Sequence, residues 1–124
     1  MAVDNAVTMT GNATREPDLR FTPGGKEVAE FAVAVNRRWR NRETEEWEEK
    51  VSFFEVTLWG DSAKNAAESV TKGMRITVAG RLDQQTWETN EGGKRSKVVI
   101  IADSVAIDLK WVTAQVLKLS LIHI

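Results

Sequence analysis

The chain has 124 residues, enough for one domain that buries its own core without covalent staples. It has no cysteine, which excludes disulfides, thiolate metal sites and cysteine nucleophiles, and its one histidine is the penultimate residue, His123. Lys and Arg total 17 against 18 Asp and Glu, and a net charge of −1 counts mildly against a nucleic-acid partner unless the charges are segregated. They are. Arg37, Arg38, Arg40 and Arg42 fall within six residues, and Glu43, Glu45, Glu46, Glu48 and Glu49 follow at once. Carboxylates in a loop can hide a basic working surface from a whole-chain count. Five tryptophans with no tyrosine is an unusual allocation of aromatic residues.

Residues 3–11 read as a first strand, with Val3, Val7 and Met9 apolar and Gly11 ending the run. Asn12 to Arg20 is a polar connection containing Pro17, and Thr22-Pro23-Gly24-Gly25-Lys26 is a hairpin turn. That turn lacks the spacing and the Lys-Ser/Thr ending of a phosphate loop. Val28 to Asn36 is the second strand, with Phe31, Val33 and Val35 on its core face. Alternation continued beyond Asn36 puts Arg37 and Trp39 on that same face. Either the strand bends or bulges there, or it runs past the end of the core; the sequence leaves both open. Arg40 to Lys50 reads as a mobile charged loop.

Val51 to Gly60 alternates cleanly: Phe54, Val56 and Leu58 on one side, Phe53, Glu55, Thr57 and Trp59 on the other. The second set shows two large rings to solvent, about 20 Å apart at about 3.3 Å per residue. That spacing suits several stacked units better than one small ligand. A helix follows over about 61–72, capped by Asp61 or Ser62, with the stripe Ala63, Ala66, Ala67 and Val70, and Gly73 as terminator. Met74 to Leu82 alternates again, with Arg75, Thr77 and Arg81 outward, and the same parity adds Gln85 and Trp87 to that face. Asn90 to Lys94 is a hairpin turn, Arg95 to Ala102 returns as a strand, and Val105 to Thr113 forms one more.

One helix between the third and fourth strands of a five-stranded antiparallel set is the layout of the OB-fold, a Greek-key barrel. The expected class is therefore all-β with one helix, with a projecting hairpin over 82–98. No apolar run reaches the length of a membrane helix and the amino terminus lacks a signal pattern, so a soluble, intracellular protein is expected.

The residues now carry a resemblance. Asn5 to Asn12, Arg15-Glu16-Pro17-Asp18-Leu19-Arg20, Asn36-Arg37-Arg38-Trp39, Phe53-Phe54-Glu55-Val56, Leu58-Trp59-Gly60, Gly80-Arg81-Leu82 and Trp87-Glu88-Thr89 recur in one order. Together they resemble the bacterial single-stranded DNA-binding protein family over about residues 3–114. Asp103 to Trp111 is most similar to the actinobacterial branch, where an extra strand after the barrel clamps a neighbouring subunit. The resemblance implies a cytoplasmic, nucleoid-associated homotetramer, a dimer of dimers, that protects single strands in DNA replication, recombination and repair. It needs no cofactor or metal and has no catalytic residue. The family's four base-stacking positions fall on Trp39, Phe53, Trp59 and Trp87. Trp39 is assigned by resemblance alone, and Trp47 is read as a loop anchor and Trp111 as interface packing.

Phosphate contacts are expected from Arg37, Arg38, Arg75 and Arg81, with Lys72 as a further candidate. Glu55, Asp61, Asp83 and Gln85 stand where relatives carry basic residues, which predicts a weaker salt dependence. Two other readings use the same barrel: a protein-interaction or oligomerisation module, and an RNA-binding OB-fold. Catalysis is disfavoured, because the carboxylates have no histidine, cysteine or phosphate loop to complete a site. Residues 1–114 are expected to form the binding and oligomerisation domain. Residues 115–124, with Leu117, Leu119, Leu121, Ile122 and Ile124, read as a truncated or non-native apolar tail. The family's acidic tail, which recruits replication and repair proteins, would then have to lie in the native gene.

Overall fold

A computed structural model describes residues 4–117. The strands are β1 (Val7–Ala13), β2 (Asp18–Phe21), β3 (Glu27–Arg40), β4 (Trp47–Trp59), β5 (Arg75–Glu88) and β6 (Lys94–Ile107), with α1 (Asp61–Ser69) between β4 and β5. The sheet runs β1-β5-β6-β4-β3-β2, and a further β1–β3 pairing closes five of these strands into a barrel. All pairings are antiparallel except β4–β6, where Glu55–Leu58 lie beside Val99–Ala102. This is the expected OB-fold. The strand outside the closed ring is β2, which lies within the stretch read as a polar connection and its flank. Pairing with Glu27–Glu30 of β3, rather than any pattern of its own, makes those four residues a strand.

Alternation predicted the core well. Phe31, Val33, Val56, Leu58, Ile76, Val78 and Ile100 are fully buried, and Ala63, Ala66 and Val70 pack into the same cluster. Each large side chain buried this way contributes about 1.5–3 kcal/mol of transfer free energy. The helix ends earlier than its apolar stripe suggested. Val70 is already extended, with φ −88° and ψ 127°, and its N–H donates to the Ala66 carbonyl while its side chain enters the core. Neither Asp61 nor Ser62 caps the first turn. Gly60 holds that position at φ 78°, a left-handed conformation suited to glycine, and its carbonyl accepts from Ala63 and Lys64.

Gly11 does not end β1. It lies where β1 leaves β5 for β3, and a Cβ there would stand 2.3 Å from the Ala34 carbonyl oxygen. Glycine is needed because two strands cross at that point. Val3 lies outside the described residues, as do the tail residues from 118 onward, His123 among them. Asn5 continues the β1 edge with its side chain: Oδ1 accepts from the Leu82 N–H at 2.8 Å and Nδ2 donates to the Leu82 carbonyl.

The expected strand over 105–113 is divided differently. Val105–Ile107 belong to β6, which steps past a bulge: Gly80 pairs with Ala102 and Ala79 with Ser104, leaving Asp103 as the extra residue. After Ile107 the chain turns. The Asp108 N–H donates to the Arg75 carbonyl, and the Asp108 carboxylate accepts from the Lys110 N–H and from Arg75 Nε, the latter at 2.9 Å. Residues 109–113 form no strand, so the expected element is confined to Val105–Ile107 at the end of β6.

The backbone bond from Lys110, and then the Arg75 guanidinium, hold the Asp108 carboxyl below its ordinary value of 3.8. Any stability this carboxylate adds is present above its unfolded pKa and lost as pH falls through the lower folded one. Arg75→Ala should raise its midpoint only part of the way back, because the Lys110 bond remains. An NMR titration of the Asp108 carboxyl checks this, and a complete return to the ordinary value would show that Arg75 alone was responsible.

Candidate nucleic-acid interface

The β3–β4 ladder decides where the aromatic residues point. Its register is unbroken from Val28 opposite Trp59 to Arg40 opposite Trp47, so β3 does not bulge at Asn36. It runs past the end of the core. The predicted charged loop over 40–50 is thus mostly a projecting hairpin, and only residues 41–46 turn. Asn41 organises that turn: its side-chain oxygen accepts from the Glu43 and Thr44 N–H groups, and its backbone exchanges bonds with Glu45 and Glu46. Glu45 takes a positive φ of 61°, uncommon for a residue with a side chain.

Along β4, Phe53 and Trp59 face outward as predicted, 69% and 46% exposed. Trp59 stands at the junction of two concavities. One, about 570 Å³, is lined by Thr57, Trp59, Arg81, Asp83, Gln85 and the β6 stretch Ile101–Asp103. The other, about 450 Å³, shares Thr57, Trp59 and Gln85 and is bounded by β2, including Phe21, and by the turn after it. Together they form a trough across the outer face of β4, β5 and β6. A third concavity, between α1 and the end of β6, holds none of the predicted site residues.

The β5–β6 hairpin carries the outward series on. Register places Arg81 beside Ile101, Gln85 beside Lys97 and Trp87 beside Arg95, all on one face. Trp87 is 45% exposed. Arg95 and Lys97 were missed by the sequence reading. Each has an ordinary strand pattern, and only the hairpin register brings them next to Trp87 and Gln85. Phe21 was missed too, because nothing in its own segment announces a strand that borders the trough.

The remaining predicted residues divide. Arg38 is on the Phe53 and Trp59 side of the β3–β4 ladder, opposite Glu49. Arg37 and Trp39 are on the reverse side, where the Arg37 guanidinium lies 5.4 Å from the Trp39 ring centre. Trp39 is therefore half-buried on the back of the hairpin, not in line with the other three rings. Arg75 is engaged by Asp108 and so is not a free cation. Lys72 is exposed in the turn after α1. Glu55 faces outward between Phe53 and Thr57, and Arg15 at 3.7 Å offsets its charge. Trp47 does not anchor a loop: it is the first residue of β4, 64% exposed. Trp111 is exposed within the single copy.

A closed barrel with exposed rings and cations on one outer face defines an OB-fold binding domain. Residues 4–108 match the model of the single-strand binding protein family, and the chain belongs to that family. The single-stranded DNA-binding protein of Mycobacterium bovis is 43% identical over 121 residues, covering 97% of this chain and 74% of that protein. The one from Corynebacterium glutamicum is 45% identical over 114 residues, covering 91% and 51%. "Single-stranded DNA-binding protein 2" of Streptomyces coelicolor is 42% identical over 121 residues, covering 97% and 61%. Among solved structures, a Plasmodium falciparum SSB complex with single-stranded DNA superposes with a TM-score of 0.79. It is 26% identical and covers 86% of this chain and 97% of that one.

Proposed function

We propose that this chain binds single-stranded DNA without reading its sequence, and protects it during replication, recombination and repair. The observation that carries this is the exposed ring set Phe53, Trp59 and Trp87 along an outer face with Arg81, Lys97 and Arg95. An unpaired strand offers flat bases and a charged backbone. Rings stack on any base, each worth about 1–3 kcal/mol by alanine substitution, while cations release counterions from the phosphates. Arg37, Arg38, Arg81 and Lys72 supply phosphate contacts; Arg75 contributes less, because Asp108 shares its charge. Trp39, on the back of the β3–β4 hairpin, offers a stacking surface separate from the path over Phe53 and Trp59.

The work is binding and not catalysis. Self-association into a homotetramer belongs to the same proposal, and exposed Leu109, Trp111 and Val112 after β6 support a subunit contact there. Among the described residues no helix is long and apolar enough to cross a membrane, and a cytoplasmic, nucleoid-associated location belongs to the same proposal. Four barrels would occlude on the order of tens of nucleotides.

Titration with oligothymidine at low salt should quench the intrinsic tryptophan fluorescence, and the affinity should fall as salt is raised. Absence of quenching at low salt would overturn the proposal. Equal affinity for RNA and DNA oligomers of matched sequence would point to RNA binding. Binding of a protein but never of a nucleic acid would favour an interaction module.

A further inference from the structure

Trp47 lies six residues before Phe53, as Phe53 lies six before Trp59, so the three side chains leave the same side of β4. At about 3.3 Å per residue each step is about 20 Å. The register carries that side outward along the projecting hairpin, where Arg40 is directly opposite Trp47 and Arg38 is its diagonal neighbour. The Arg38 guanidinium lies 5.4 Å from the centre of the Trp47 ring, which holds one face of the indole and leaves the other to solvent. The residue is 64% exposed, so burial does not account for it.

We infer that Trp47 is a further base-stacking platform, and that the bound strand continues from Trp59 over Phe53 onto the front of the β3–β4 hairpin. This rests on the reading of the chain as a single-stranded DNA binder. The nearby carboxylates oppose it less than their number suggests. Glu48 is on the reverse side opposite Trp39, Glu43, Glu45 and Glu46 are in the turn, and Glu49 faces Arg38. With cations and carboxylates nearly balanced on this side, the contribution comes from stacking and not from phosphate neutralisation.

The test uses the full chain and oligothymidine. Trp47→Ala should weaken binding at least about fivefold, Trp47→Phe should keep most of the affinity, and the slope of log K against log salt should not change. Photocrosslinking with a 5-iododeoxyuridine-substituted oligothymidine provides a readout that a structural role would not move. Trypsin releases residues 43–50 as a peptide in which Trp47 is the sole aromatic, and that peptide should carry the crosslink. No crosslink there, with Trp47→Ala within twofold of the parent, overturns the inference. So does a Trp47→Leu variant that binds like the parent, since leucine restores apolar area without a flat face. The parent chain and Trp59→Ala are measured alongside. A parent that fails to bind sinks the whole functional reading, whereas a parent that binds and is weakened only by Trp59→Ala sinks Trp47 alone.

Discussion

Trp59→Ala is expected to weaken binding of single-stranded DNA by about 1–3 kcal/mol, roughly five- to 150-fold, and by about the same amount for every sequence. Trp59 is shared by both halves of the trough, so its removal strips a wall from each as well as a stacking surface. It also pairs across the ladder with Val28, which is nearly buried, so the truncation uncovers some apolar area. Trp59→Phe separates the two effects, because it keeps a ring over Val28 and a face for a base. Polarisation titrations with labelled mixed-sequence, oligothymidine and oligoadenosine strands give the answer. A strong base preference surviving in Trp59→Ala would contradict recognition by stacking. An unchanged affinity would remove Trp59 from the site.

The second large effect concerns the scaffold. Gly80→Ala is expected to destabilise the fold by about 1–3 kcal/mol or more, because the new Cβ meets backbone and not a side chain that can swing aside. It would stand 2.0 Å from the Ile101 carbonyl oxygen and 2.8 Å from the Ala102 Cα. These atoms lie beside the bulge where β6 changes register against β5, so relief requires the two strands to part where the trough is built. Each kcal/mol lowers the melting temperature by about 2–8 °C for domains of about 60–250 residues. Thermal unfolding followed by circular dichroism, at fixed protomer concentration, measures it. Gly24→Ala is the control: its Cβ would meet nothing closer than Thr22 Oγ1 at 3.9 Å, and its melting should match the parent's. If Gly80→Ala also melts like the parent, the strands are less tightly docked at the bulge than the backbone spacing indicates.

The face of each ring inside the barrel was legible in the sequence. Alternation is a local property of an extended chain, and a core on one side of β4 forces Phe53 and Trp59 to the other. The same reasoning placed Arg81 and Trp87 together on β5, and it recognised the fold from one helix set among the strands. What lay beyond the core was not legible, because there no burial tells one side of a strand from the other. Only the unbroken β3–β4 pairing puts Trp39 on the back of the hairpin and Trp47 on the front.

Pairing between distant segments also decided which charges are available. Arg15 offsets Glu55, Asp108 engages Arg75, and Arg95 and Lys97 arrive beside Trp87 and Gln85. None of these partners is a neighbour in the chain. The sequence by itself determined the barrel, its core and the two outward rings of β4, since period-two patterning is written residue by residue. The tertiary structure alone decided how far the ring series extends and which cations accompany it, since both depend on strand register. Register is a relation between segments that no single segment encodes.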